Sequence, residues 1–208
     1  MEPRKISLLL LLLTVYCTAN QKFVPKDPLA TRVESPQRQS TTLEPSIDMV
    51  AVQSAARTFH IDRYETSEIG PGDFFAARNQ APRVQVTAAE AGRICAGQGK
   101  RLCSYYEWKN ACLGIRRNQY SYGKTHRTGL CNLGSKSLLP TGKKRECHTD
   151  TEVHDMLGNA MEWVADMRRG RAVAVGGSFA TGNDTDCFTV HYFSPDTRNN
   201  QIGFRCCL

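Results

Sequence analysis

Asp155 and Glu162 flank a Gly158-Asn159 turn in the stretch Asp155-Met156-Leu157-Gly158-Asn159-Ala160-Met161-Glu162-Trp163. Carboxylates on either side of a tight turn suit a hard cation. Calcium takes about six to eight oxygen ligands, from carboxylates and backbone carbonyls, and glycine lets the backbone approach an ion closely. The same carboxylates could instead cap the turn or pair with Arg168, and the residues alone leave both readings open. Cysteine is the second source of chemistry: Cys17, Cys95, Cys103, Cys112, Cys131, Cys147, Cys187, Cys206 and Cys207. None forms a Cys-x-x-Cys pair or a Cys/His cluster of zinc-finger spacing, which argues against structural zinc. The histidines (His60, His126, His148, His154 and His191) are scattered, with no His-x-x-x-His and no two-His-one-carboxylate pattern in sequence. There is no Gly-x-Ser-x-Gly elbow and no glycine-rich phosphate loop.

The elements that must position these groups are short. Phe59 to Glu65 alternates apolar and polar residues and predicts a strand. Gly70-Pro71-Gly72 marks a turn. Thr87-Ala88-Ala89-Glu90 and Ser104-Tyr105-Tyr106-Glu107 are capping boxes. In each, the hydroxyl accepts a first-turn N–H while the carboxylate reaches back to the cap. The first predicts a helix through Ala91, Ile94 and Cys95 that ends at Gly97 and Gly99; the second, a helix through Trp108, Ala111 and Cys112 that stops at Gly114. Apolar runs at Ala172–Val175, Phe188–Phe193 and Ile202–Cys206 complete a turn-rich α+β domain with no internal repeat.

Arg4 and Lys5 precede a short apolar run, Leu8 to Leu13, which predicts an export signal over 1–19 and is too short to span a bilayer. Cleavage after Ala19 gives a soluble form. Cleavage before Cys17 gives a lipidated cysteine and a membrane tether, although Tyr16 is bulky for such a site. Residues 20–49, rich in Pro, Ser, Thr, Gln and charge, read as a flexible tether, and residues 50–208 as the folded domain. Export to the periplasm, the cell surface or the medium permits disulfides. Eight cysteines lie in the domain, an even number, and four bridges is the simplest reading. The net charge of +7 falls in clusters at Arg116-Arg117, Lys143-Lys144-Arg145 and Arg168-Arg169 with Arg171. These read as solvated loops, the sharper alternative being an anionic partner. Nucleic acid is disfavoured, because the clusters lack aromatic interleaving.

Four strings in order carry a family resemblance: Gly99-Lys100-Arg101-Leu102 with Glu107-Trp108, the Asp155–Trp163 stretch, Gly176-Gly177-Ser178, and Gly203-Phe204-Arg205-Cys206. Together they resemble the formylglycine-generating enzyme, or sulfatase-modifying factor, family, over roughly Phe59 to the C-terminus. The resemblance implies a compact, disulfide-stapled variant of the C-type-lectin fold. It also implies structural calcium held by the Asp155 and Glu162 side chains and the Gly158 and Ala160 carbonyls. A second calcium site at Asn132 and the Leu133 carbonyl is less well matched. Oxidase members use two cysteines just after Gly-Gly-Ser to bind copper(I), which soft thiolates suit. Residues 176–187 contain one cysteine, Cys187, whose register matches a structural cysteine of the family. Met161 stands where the oxidases keep a tryptophan, and Cys103 where the family usually has proline; Ser178 does match an active-site serine. The resemblance implies bridges Cys95–Cys206 and Cys112–Cys187. The other four are assigned as Cys103–Cys207 and Cys131–Cys147, a choice the residues leave open, since eight cysteines allow about 105 pairings.

The expected function is a non-catalytic binding or envelope module, stabilised by calcium and disulfides, without copper and with a protein or glycan ligand. Its candidate loops are Ile115–Thr128 and Gly182–Asp186. The alternative is an oxidoreductase of the family acting on a protein or small molecule without the cysteine pair.

Overall fold

The computed structural model describes residues 48–55 and 57–208. The expected signal segment, Cys17 and all but the last two tether residues lie outside them. The strands are β1 (Met49–Gln53), β2 (Thr58–Asp62), β3 (Thr66–Gly70), β4 (Asp73–Ala76), β5 (Arg101–Leu102), β6 (Met161–Arg168), β7 (Arg171–Val175), β8 (Val190–Phe193), β9 (Ile202–Phe204) and β10 (Cys206–Cys207). The helices are α1 (Ala88–Gly97) and α2 (Tyr105–Leu113).

Both helices start at their capping boxes. The Thr87 and Ser104 hydroxyls accept from Glu90 N and Glu107 N, and each glutamate returns a bond to its cap. Such a cap stabilises by about 1 kcal/mol. Gly114 ends α2 at φ +62°, where a Cβ would lie 2.1 Å from Asp150 Oδ1. Glu107 is also locked into a fork from Arg101, at 2.6 Å to each oxygen. Burial raises its carboxyl, but the Arg101 and Ser104 bonds outweigh that and hold it down to about 2.

Two four-stranded sheets meet at the end of the chain. One has the order β1-β2-β10-β5 and the other β8-β7-β6-β9, with β3-β4 a separate hairpin. All pairings are antiparallel except β6 with β9. β9 and β10 are consecutive and separated only by Arg205, so the chain changes sheets at that residue. Apolar residues pack into two clusters. One gathers Phe59, Ile61, Trp108, Val164, Val173 and Val175. The other gathers Ala91, Trp163, Ile202 and Phe204, with Phe193 packed against it.

Four disulfides staple these layers. Cys95–Cys206 ties α1 to β10, and Cys103–Cys207 ties the α2 approach to the same strand. Cys112–Cys187 ties α2 to the loop before β8, and Cys131–Cys147 closes a loop of the irregular region between α2 and β6.

Candidate functional site

The central turn is built from left-handed residues. Asp155, Gly158 and Asn159 have φ of 56°, 76° and 57°. Gly158 cannot be replaced without a shift, because a Cβ there would lie 2.4 Å from the Asn132 carbonyl oxygen. Asn159 is fully satisfied. Its Nδ2 donates to Glu65 Oε2 at 2.7 Å and to the Leu139 carbonyl, and its Oδ1 accepts from Asn132 Nδ2 and Leu139 N. Glu65 also accepts from Ala160 N at 3.0 Å. Sequence reasoning placed Glu65 only in a strand; it is a buried anchor of this turn.

Arg205 is the other residue the sequence reading missed. The partner of Glu162 is Arg205, not Arg168, which lies exposed at the end of β6. Parallel pairing sets Glu162 against Gly203, two residues before Arg205. Arg205 Nε and Nη2 donate to the two Glu162 oxygens at 2.7 and 2.6 Å, and Trp108 Nε1 donates to Glu162 at 2.7 Å. Arg205 also donates to the carbonyls of Asp62, Arg63 and His154. Its side chain is 0% exposed and that of Glu162 1%. An arginine between Phe204 and Cys206 in an apolar run was a readable signal, since a buried guanidinium requires a carboxylate.

Three buried carboxylates, Glu65, Asp155 and Glu162, thus share one guanidinium. Burial pushes Asp155 up to about 6, against the Gly142 N–H and Arg205, which lower it. Burial pushes Glu65 well above the ordinary carboxylate range, and Asp155 and Glu162 add to it. Among the described residues no group of three or more His, Cys, Asp or Glu is arranged to hold a metal ion. A carboxylate has about four lone-pair sites; Glu162 fills three of them and Asp155 fills one with the Gly142 N–H at 2.6 Å, so Asp155 keeps most of its acceptor capacity and Glu162 little. Asn132 of the second expected site is occupied differently: its side chain bonds Asn159, Ser135 and the Ser137 carbonyl.

The segment after Gly176-Gly177-Ser178 holds no free thiol. Cys187 is bonded to Cys112 on α2. Ser178 is buried, and its hydroxyl donates to Gln201 Oε1 at 2.8 Å. Gly176, at the end of β7, lies so close to Trp108 and the Met156 carbonyl that a Cβ would meet them at 2.8 and 2.5 Å.

Two histidines that look scattered in sequence come together. His148 Nδ1 and His154 Nε2 face the two oxygens of Glu152 at 3.6 and 3.7 Å, and His154 stacks on Tyr64. Burial, then His148, holds His154 down to about 4, so it is neutral at pH 7. In the candidate loop Ile115–Thr128, Tyr120 and Tyr122 stack on each other and pack against the core. Their rings therefore do structural work, and the basic side chains form the loop's outer surface.

Comparison with known proteins agrees with this geometry. Residues 38–208 match the model of the sulfatase-modifying factor enzyme 1-like domain. The chain is similar to the Mus musculus protein named inactive C-alpha-formylglycine-generating enzyme 2, at 27% identity over 161 residues, covering 66% of this chain and 52% of that protein. It therefore spans about half the length of that relative. Among solved structures it is similar to CarF, with a TM-score of 0.59 and 17% identity over 77% of this chain and 97% of the other. It is similar to PvdO from Pseudomonas aeruginosa at 0.57 and 16%, over 76% and 89%. Treponema denticola variable protein 1 gives 0.59 and 15%, over 76% and 90%. At these identities the structural likeness shows the fold alone, a mixed α+β domain of the formylglycine-generating-enzyme-like, C-type-lectin-like kind. With its ordered motifs, its sheets joined at Arg205 and a family match across most of its length, the chain belongs to the sulfatase-modifying factor enzyme 1-like domain family.

Proposed function

We propose that this domain is a non-catalytic binding module, exported and held rigid by its disulfides and by calcium. The observation that carries the reading is the Cys112–Cys187 bridge. Copper(I) chemistry of the family's kind needs two thiolates after Gly-Gly-Ser. Here that segment has one cysteine, and its sulfur is committed to α2. The other cysteines of the described residues are paired as well. The similarity to a mouse protein named inactive supports the same reading.

Calcium would be held by the Asp155 and Glu162 carboxylates with the Gly158 and Ala160 carbonyls. It would supply positive charge to a cluster in which one guanidinium faces three acids. An ion bound only by the native state stabilises it, by about 2.7 kcal/mol at a hundredfold excess over Kd. EGTA should therefore lower the melting temperature of metal-free-purified protein reloaded with calcium. An unchanged curve would remove calcium from the proposal.

The decisive test is intact mass after alkylation, with and without prior reduction. Eight alkylations only after reduction is the expected result for the domain. Two before reduction, together with copper-dependent oxygen uptake on a thiol peptide, would replace the binding module with an oxidase.

A further inference from the structure

The basic cluster at Arg168-Arg169-Gly170-Arg171 has no part in the site above. It forms the β6–β7 turn, with Arg168 paired to Arg171 and both central residues left-handed, at φ of 50° and 75°. The turn lies at the far end of β6 and β7 from Met161, Gly176 and Ser178, where the family's oxidase site falls. Before it, β6 loses register with β7 between Trp163 and Met167. Bulges of this kind bend a strand and are frequent beside binding sites. Here Asp166 turns to accept from Tyr105 N at the start of α2, at 2.6 Å.

The result is an open cavity of about 780 Å³ between α2 and the sheet. It is lined by Val190, with Val173 buried in the core beneath it, by Tyr105, Met167 and Tyr192, and by the three arginines. Val173 and Tyr192 are directly opposite in the sheet, so they share this face. Beside it, Lys109 lies over the rings of Tyr105, Tyr106 and Phe188 at 5.1–5.8 Å. Tyr106, Met167, Phe188 and Tyr192 are between 44% and 58% exposed, and all four border this region. Single exposed apolar residues are ordinary; a cluster of them rimmed by charge marks an interaction surface.

Among the described residues, Arg168, Arg169 and Arg171 take part in no ion pair. Arg171 donates to the Tyr192 carbonyl, which fixes its guanidinium at the rim. The single carboxylate lining the groove, Asp166, is engaged by Tyr105.

We propose that this groove binds an acidic peptide segment of a partner protein. Its carboxylates would meet Arg168, Arg169 and Arg171, and an apolar side chain would lie against Val190, Met167 and Tyr192. This rests on reading the domain as a binding module and names the chemistry of its partner. Charge complementarity selects an anion, and arginine forks match carboxylates bidentately. The apolar lining of Val190, Met167 and Tyr192 selects a peptide over a glycan, because saccharide hydroxyls would be buried there without partners.

The test is a fluorescence anisotropy titration of the full chain with a short labelled peptide alternating Glu and Leu. The same peptide with Lys for Glu, a sulfated oligosaccharide and anionic lipid vesicles are run in parallel. The expected result is saturable binding of the Glu peptide that weakens with added salt. Binding should fall at least tenfold in the variant Arg168→Gln, Arg169→Asn, Arg171→Gln, and stay unchanged in Arg93→Gln, Lys136→Gln, Lys143→Gln, which removes as much charge from exposed positions elsewhere. Hydrogen exchange on the unaltered chain, independent of any variant's folding, should show peptide protection over 166–173 and 190–192. Equal binding of Glu and Lys peptides, preference for the oligosaccharide or vesicles, protection elsewhere, or full affinity in the first variant would overturn the proposal. The probe contains no cysteine, so these outcomes are separate from the alkylation and oxygen-uptake results that decide between module and oxidase.

Discussion

Arg205 and the arginines of the β6–β7 turn border the same sheet and do opposite work. Arg205 has every polar neighbour it needs, with Glu162 on its fork and three carbonyls around it. Arg168 and Arg169 lie on the surface with no ion pair among the described residues. The first region uses charge to join two sheets, and the second leaves charge unspent. The difference teaches that burial and pairing, more than residue type, separate an arginine that holds the fold from one offered to a partner.

The largest effect should come from Arg205→Met. Removing one partner of a buried pair costs about 3–5 kcal/mol, a large share of an ordinary domain's stability, so the variant should melt far below the parent. Adding Glu162→Leu should restore part of the loss. A melting temperature within a few degrees of the parent for Arg205→Met would break the comparison. Next come the staples around that junction. In the chain-entropy model, losing Cys95–Cys206, with a separation of 111 residues, costs about 4–5 kcal/mol before strain, and losing Cys131–Cys147, with a separation of 16, about 3 kcal/mol. Urea denaturation of the two double-alanine variants should show that order.

Two groups beside Arg205 sharpen the contrast through pH. His154 is held below its unfolded value, so its contribution is present above about pH 6.5 and is lost as pH falls toward 4. Asp155 is held above its unfolded value, so its contribution is present below about pH 4 and is lost as pH rises through 6. The two slopes oppose each other in the parent. In EGTA, relative to the parent, His154→Phe should lose more stability as pH rises from 4 to 6 and Asp155→Asn less, each by on the order of 2 kcal/mol, because Glu65 and Asp62, also held above their unfolded values, keep their own slopes in both variants. Parallel slopes in the two variants would contradict this assignment. The smallest change in stability belongs to the hairpin. Arg168→Gln, Arg169→Asn, Arg171→Gln should shift unfolding free energy by about 0.5 kcal/mol or less, as surface changes usually do. A larger loss would make these arginines structural after all.

Local signals were legible and distant ones were not. The two capping boxes place both helices because their partners are three residues apart. Ala172–Val175 is a strand because a continuous apolar run must be buried, and the Ile202–Cys206 run is divided at Arg205 into β9 and β10. The family register placed Cys187 away from a thiol pair. Proximity in sequence offers Arg168 only as one possible partner of Glu162, whereas the actual partner lies 43 residues away and is delivered by a parallel strand. Glu65 is 94 residues from Asn159 and carries no local mark of that bond. The groove was hidden for the same reason: its arginines, its helix tyrosine and its β8 residues come from three separate segments.

The adjacency of Cys206 and Cys207 has a consequence of its own. In a strand, neighbouring side chains point to opposite faces, and here one sulfur goes to Cys95 and the other to Cys103. Exchanging the two partners would require β10 to slip by one position against Leu102 and Arg101. Such a slip reverses every side chain of the strand and would turn Arg205 away from Glu162. The pair of bridges therefore acts as a proofreader: only the correct alignment of the closing strand lets both bonds form and the guanidinium find its acid.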